Sequence, residues 1–163
     1  ALDTAGMVIS IASGLGNAQL FNPSMATQGS LMGAFLSVAG VTFLLVTNMH
    51  HLLFMGIVES YKLFPVGSIP DVGSMAQLVV TTLSASFEIG VKIAAPFLML
   101  TLLVYVGMGV LSRLMPQVQV FILALPVQIM LSILTLMLIL SSAMLFWLGK
   151  FEEGMVFFLT SAG

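Results

Sequence analysis

The sequence predicts an all-α integral membrane protein, and three observations support this prediction. Hydrophobic residues make up 60% of the chain and charged residues only 6%, whereas an ordinary soluble domain has roughly 25% charged residues. The mean hydropathy is +1.19. Finally, long apolar runs alternate with short polar segments, and about 20 apolar residues suffice for a transmembrane helix.

Charge and residue content exclude several classes of function. The formal net charge of −2 is too small to suggest a nucleic-acid partner. The chain has no cysteine, and therefore no disulfide framework or thiolate metal site. It also contains no Gly-rich phosphate loop, nucleophile elbow or carboxylate dyad. We therefore expect no enzyme activity and no cofactor.

The first segment reads ALDTAGMVIS, without an initiator Met or a basic leader, so we expect the C-terminal part of a longer chain. A first helix is predicted over about residues 4–20, capped by Asp3 and Thr4. Small residues on one side of this helix predict a close packing face rather than a ligand site: Gly6, Ser10, Ser13, Gly14 and Gly16.

Residues 21–30, FNPSMATQGS, form a predicted loop because they combine Asn-Pro, Gly and hydroxyl residues. Unpaired backbone groups cannot face hydrocarbon, so this loop lies in water, inside protein or along a cavity. A second helix is predicted over 31–64, ended by Pro65. At about 50 Å it exceeds the roughly 30 Å bilayer core, so it either tilts and breaks or stands partly outside the membrane.

Two further helices are predicted over 74–111 and 120–148, with a kink at Pro96 and a proline, Pro126, in the first turns of the second. Pro116 separates them because it lacks an amide hydrogen and restricts the residue before it. Arg113 suits the end of the first of these helices. The expected geometry is a kinked hairpin with a polar tip, followed by a separate short apolar piece over 155–159.

Glu88 and Lys92 lie four residues apart on one helix face and can pair. Each unpaired charge costs about 2.5–3.5 kcal/mol at the centre of a membrane helix. A structural pair or intersubunit contact, a cavity lining and a proton relay remain open for them. His50 and His51 point about 100° apart on a helix. With only Glu59 nearby, a polar contact is favoured over a metal site.

Several short motifs occur in a characteristic order. They are Asn22-Pro23 with Gln28-Gly29, His50-His51-Leu-Leu, Ser60 with Pro65-Val-Gly67, Ala94-Ala-Pro96, and Leu111-Ser-Arg-Leu-Met-Pro-Gln117 with Val120-Phe121. Together they resemble the FliR/SctT family of type III secretion export proteins over roughly residues 14–140. Asn22 stands where this family usually has Asp, Gln119 where it commonly has Asn, and family members are longer at the N-terminus.

The resemblance implies a non-enzymatic subunit of the export gate in the bacterial inner membrane, in a flagellar basal body or an injectisome. Such a subunit assembles with FliP-like and FliQ-like subunits, near FlhB-like and FlhA-like components, into a helical hetero-oligomeric core. Unfolded export substrates leave the cytoplasm through this core, part of which lies on the periplasmic side. Membrane lipid is the other expected partner.

The resemblance also implies that residues 21–30 project into the channel and help to close it, with a plain interhelical connection as the alternative. Phe21 and Met25 could seal a narrow pore by dewetting. The channel residues expected on this basis are Phe21, Asn22, Pro23, Met25, Gln28 and Gly29. Glu88, Lys92 and Arg113 are expected polar interface residues, and Pro65, Pro96, Pro116 and Pro126 expected hinges or turns.

Two other functions compete with this interpretation. A secondary transporter would place a polar site at the membrane midplane, formed by Glu88, Lys92 and the helix broken at Pro96. It requires an inverted internal repeat, and the long runs do not match in their proline or charge positions. A passive membrane scaffold that conducts nothing is the third possibility.

Overall fold

The computed structural model describes residues 1–16, 30–63, 72–114 and 120–160 of the chain. Every regular element in these ranges is an α-helix, which confirms the all-α prediction. The helices are α1 (Leu2–Ala12), α2 (Leu31–Val46), α3 (His50–Leu63), α4 (Val72–Leu114) and α5 (Val120–Thr160).

The short helix α1 lies at the centre of the packing, against α2 on one side and α4 on the other. Its buried face meets α2, α4 and α5 in one apolar cluster. Gly6 packs directly on the backbone of Gly33, leaving no room for a side chain at position 6. The small-residue face of α1 is therefore a packing face. The buried members of the cluster are Leu2, Ala5, Ile9, Ala12, Leu36, Ile93, Ala94, Phe97 and Met144.

Helix α1 ends at Ala12, well before the predicted end near residue 20. Gly14 adopts a left-handed conformation with φ 77°, which turns the backbone out of the helix. The Gly16 amide donates to the Ser10 carbonyl at 2.9 Å, and the Ser13 hydroxyl donates to the same carbonyl at 3.1 Å. These bonds provide donors for the Ser10 carbonyl at the end of α1. The helix therefore ends earlier than the sequence predicted.

The segment predicted as one helix over 31–64 is divided into α2 and α3, which are bent by 85°. Asn48 has φ 58°, a left-handed conformation that Asn tolerates better than most residues. At the end of α2, the Thr47 amide donates to the Phe43 carbonyl at 2.9 Å and the Asn48 amide to the Leu45 carbonyl at 3.2 Å. The break that was one of the expected solutions is therefore present, whereas tilt and position relative to a membrane stay predictions.

Helices α4 and α5 pack as an antiparallel hairpin and are the two longest elements, with 43 and 41 residues. Their segments Met75–Leu114 and Ala124–Val156 are long and apolar enough to cross a membrane, and the bent pair α2–α3 would add a third span if counted as one. Pro96 and Pro126 lie inside these helices. Pro65 and Pro116 lie outside the described residues.

Helix α5 continues to Thr160 and includes the predicted separate piece over 155–159, so the expected break after residue 148 is wrong. Lys150 and Glu153 form an ion pair one turn apart that bridges this part of the helix. The extension also packs on α3, because a Cβ at Gly56 would lie 2.8 Å from the Met155 methyl group. The contact between α3 and α5 therefore supports helix in the segment after residue 148, where the sequence predicted an end.

We expect Gly6→Ala to destabilise the chain, since the added methyl group would meet the backbone of Gly33. Overpacking of this kind costs about 1–3 kcal/mol. The thermal unfolding midpoint of the detergent-solubilised chain measures the effect. Gly149→Ala is the matched control, because a Cβ there meets nothing within 4 Å and alanine favours helix. Equal midpoints for the two variants would contradict close α1–α2 packing.

Candidate functional site

Two ion pairs face each other in a cleft between α4 and α5. The Lys92 ammonium lies 2.5 Å from a Glu88 carboxylate oxygen on α4. On α5, the Lys150 ammonium lies 2.5 Å from a Glu153 carboxylate oxygen. All four side chains line a cavity of about 350 Å³, together with Ala85, Ile89, Phe146 and Gly154. We call this cavity the charged cleft.

The charged cleft is neutral overall and open to ligands. It carries two lysines and two glutamates, and the exposed fractions of these side chains range from 39% for Lys150 to 68% for Glu153. Exposed ion pairs contribute only about 0–1 kcal/mol, so these pairs alone explain little of the stability. What distinguishes the two ion pairs is therefore their position in one cleft rather than their contribution to stability.

A long uncharged length of the hairpin separates the charged cleft from Arg113. No charged residue lies between Lys92 and Arg113 on α4, or between Val120 and Gly149 on α5. The helical rise places Arg113 about 31 Å from Lys92, close to the roughly 30 Å thickness of the hydrocarbon core. The charges of the hairpin therefore lie at the two ends of this uncharged length.

A second polar feature joins three helices at the end of α1. The Ala12 carbonyl accepts hydrogen bonds from the Thr101 hydroxyl of α4, at 2.8 Å, and from the side-chain amide of Gln128 in α5. Gln128 is only 2% exposed. The four last carbonyls of a helix lack partners within it, so this polar junction satisfies an acceptor that would otherwise be buried without one.

The structure brings Glu88 and Lys92 together as a pair, while a contact with another subunit stays a prediction. Arg113 lies exposed in the last turn of α4, and its snorkelling role stays a prediction. The six expected channel residues, Phe21, Asn22, Pro23, Met25, Gln28 and Gly29, lie outside the described residues.

The two histidines lie at the bend between α2 and α3. His51 Nδ1 lies 3.0 Å from the Asn48 carbonyl and so contacts the turn itself. The His50 and His51 rings pack with centroids 4.2 Å apart. Within the four described ranges, no three His, Asp or Glu side chains are grouped as a metal site requires. His51 thus makes the expected polar contact, whereas His50 Nδ1 is buried without a hydrogen-bond partner among the described residues.

Sequence reasoning missed Lys150, Glu153 and Gln128 as site residues. The three-residue spacing of Lys150 and Glu153 did carry a signal for a pair, because such positions are neighbours on a helix. Gln128 also gave a signal, as an amide in a strongly apolar run that needs a buried partner. Neither signal identifies the helix against which these side chains pack.

The two long apolar helices of the hairpin define an α-helical integral membrane protein. Residues 1–154 match the family described as "Bacterial export proteins, family 1", and the chain belongs to this family. This confirms the FliR/SctT resemblance that the sequence motifs indicated.

The chain is also similar to individual proteins of known name. The chain is 37% identical over 152 residues to the flagellar biosynthetic protein FliR of Caulobacter vibrioides, covering 93% of this chain and 61% of the relative. It is 31% identical to FliR of Bacillus subtilis, covering 86% of this chain and 56% of the relative. The Yop proteins translocation protein T of Yersinia pestis is 29% identical, with 78% and 50% covered. The chain thus spans about half to three fifths of these relatives' length.

We expect Glu88→Lys to destabilise the hairpin, because it would place three lysines in the charged cleft. Adding Lys92→Glu should recover most of the loss, which is small because both charges are exposed. Thermal unfolding at low and high salt measures both effects, and salt should reduce them. Glu152→Lys, which introduces the same charge change on a side chain outside the cleft lining, is the control. A double variant no more stable than Glu88→Lys would argue against the pair.

We expect Gln128→Leu to weaken the polar junction by removing one of the two bonds to the Ala12 carbonyl. The net loss should be about 1 kcal/mol, seen as a lower free energy of unfolding in detergent. Gln77→Leu makes the same side-chain change at an exposed position of α4 and should have little effect. Comparable losses in the two variants would mean that the junction does not hold α1.

Proposed function

We propose that the chain forms part of a type III export apparatus, as a non-enzymatic subunit of the conduit for unfolded export substrates. Membership of the bacterial export family supports the apparatus, since relatives include proteins named flagellar biosynthetic protein FliR and Yop proteins translocation protein T. In this proposal FliP-like and FliQ-like subunits are the immediate neighbours, FlhB-like and FlhA-like components lie nearby, and the bacterial inner membrane holds the assembly.

One observation carries the proposal, namely the length and apolar surface of α4. Its 43 residues extend about 64 Å, twice the thickness of the hydrocarbon core. If the charged cleft marks the boundary, the part before Glu88 stands beyond the hydrocarbon. That part still exposes large apolar side chains. Contiguous apolar surface outside lipid is typical of protein–protein contact. The exposed residues include Met75, Leu78, Val79, Val80, Leu83 and Phe87.

The surface of the hairpin supports the same proposal. Only 17% of the most apolar window of α4 and 11% of that of α5 are buried within the chain. Lipid can cover the portion between the cleft and Arg113, whereas the outer part of α4 needs protein. A subunit that packs sideways on similar helical neighbours satisfies both requirements, with Glu88 and Lys92 near such a contact.

The transporter alternative fits the geometry less well. A transporter site lies near the bilayer midplane, commonly at broken helices. Here the charged cleft lies about 31 Å along α4 from Arg113, and α4 continues as one helix through Pro96. The four charges therefore lie at one edge of the uncharged length that α4 and α5 share.

The first test is mass spectrometry of the chain purified in mild detergent from its native membrane. We expect a defined complex with other small apolar membrane proteins. The double variant Val80→Lys, Leu83→Lys should release the chain from this complex without loss of helix content. Thr81→Lys adds the charge about 100° away on the helix and is the control. A lone monomer or small homo-oligomer of the unmodified chain would overturn the proposal.

For residues 21–30 we propose the channel-closing role that the family resemblance implies. Deleting residues 22–26 should raise ion leakage across membranes that contain the assembled complex, because the expected seal at Phe21 and Met25 is removed or displaced. Conductance of cells or planar bilayers measures the leak, with assembly checked by mass spectrometry. Unchanged leakage in an intact assembly would leave the segment as an interhelical connection.

A further inference from the structure

We propose that the charged cleft binds the headgroup of phosphatidylethanolamine, a phospholipid that carries both a phosphate and a primary amine. The inference depends on the placement of the hairpin in a membrane and is independent of the export function. Three observations support binding of this headgroup: the composition of the cleft, the order of its charges along the hairpin, and its accessibility.

The composition of the cleft is matched to a zwitterion. Lys92 and Lys150 offer ammonium donors to phosphate oxygens, and Glu88 and Glu153 offer carboxylate acceptors to an ammonium group. An ammonium has three donors and a carboxylate about four acceptor positions. Each ion pair can therefore persist while its members bind the headgroup. The cavity of about 350 Å³ is near the lower end of ligand sites, about 300–1,000 Å³, as a headgroup alone requires.

The charges are ordered along the hairpin as the headgroup is ordered along the membrane normal. On α4, Lys92 lies about 6 Å nearer than Glu88 to the Arg113 end. Since α5 runs in the opposite direction, Lys150 also lies about 4.5 Å nearer to that end than Glu153. Both lysines therefore lie on the hydrocarbon side. A phospholipid likewise places its phosphate next to the glycerol and acyl chains, with the amine farther out.

The lining of the cleft favours a primary amine over a choline group. A quaternary ammonium has no N–H to donate to Glu88 or Glu153, and proteins recognise it through aromatic cages. Phe146 is the single aromatic side chain among the described lining residues. It lies one turn on the hydrocarbon side of Lys150, where it can contact the start of an acyl chain.

The test measures binding of single lipids to the detergent-solubilised chain by native mass spectrometry. Dioleoyl phosphatidylethanolamine is titrated beside the phosphatidylcholine and phosphatidylglycerol with the same acyl chains. We expect the ethanolamine lipid to bind about three- to tenfold more tightly, the range for one or two charge-assisted bonds at a partly exposed site. Equal affinity for the three lipids would overturn the proposal, and this comparison requires no variant.

Variants then assign the selectivity to the cleft. Glu153→Gln should abolish most of the preference for the ethanolamine lipid, while Lys150→Gln should weaken binding of all three lipids. Glu152→Gln removes the same charge from the neighbouring residue, which does not line the cleft, and should retain the preference. Circular dichroism confirms that each variant keeps its helix content. Loss of preference in Glu152→Gln alone would place the site elsewhere.

Competition distinguishes the lipid from other occupants. Excess inorganic phosphate should not displace the ethanolamine lipid, because it has no ammonium group for the glutamates and no acyl chain for Phe146. Displacement would assign the cleft to free phosphate and overturn the lipid proposal. In the purified complex, lipid should remain bound after mild delipidation. Its complete absence there, with Lys92 protected from amine labelling by another subunit, would assign the cleft to protein contact instead.

Discussion

The arrangement of the chain depends on the packing of the short helix α1. Helices in lipid gain little from hydrophobic burial against each other, so close backbone approach and buried polar contacts determine how they associate. Helix α1 has both, with Gly6 against the backbone of Gly33 and the Ala12 carbonyl bonded by Thr101 and Gln128. The Ser30 hydroxyl adds a bond to the Gly6 carbonyl at 2.9 Å. Through these contacts α1 sets the positions of α2, α4 and α5.

The charged cleft follows from this placement. Thr101 and Gln128 join α4 and α5 at one level of the hairpin, and the apolar cluster with Phe97 and Met144 continues beside it. Farther from Arg113, small side chains such as Ala85 and Gly154 line the space between the two helices. The two ion pairs can face each other in this space because each charge stays paired and partly exposed. The cleft is thus a consequence of register and side-chain size.

Local features of this structure were predictable from sequence, whereas features that depend on register were not. The Glu88–Lys92 pair follows from four-residue spacing on a single helix, and the end of α4 at Leu114 from the proline at 116. The left-handed turn at Asn48 was missed because Asn accepts this conformation without requiring it. Lys150 and Glu153 lie opposite Glu88 only because of the register in which α4 and α5 pack. No single-helix pattern contains that alignment.

The outer part of α4 carries the apolar surface on which the proposed assembly depends. If the charged cleft marks the membrane boundary, the outer part of α4 lies beyond hydrocarbon, yet two of its polar side chains bond to its own backbone. The hydroxyls of Thr81 and Thr82 donate to the carbonyls of Gln77 and Leu78, each at 2.8 Å. Their hydrogens are therefore not offered to water, and the neighbouring face of the helix, with Val80 and Leu83, is apolar. A helix in contact with water gains most from polar side chains that face outward, so this surface favours cover by protein.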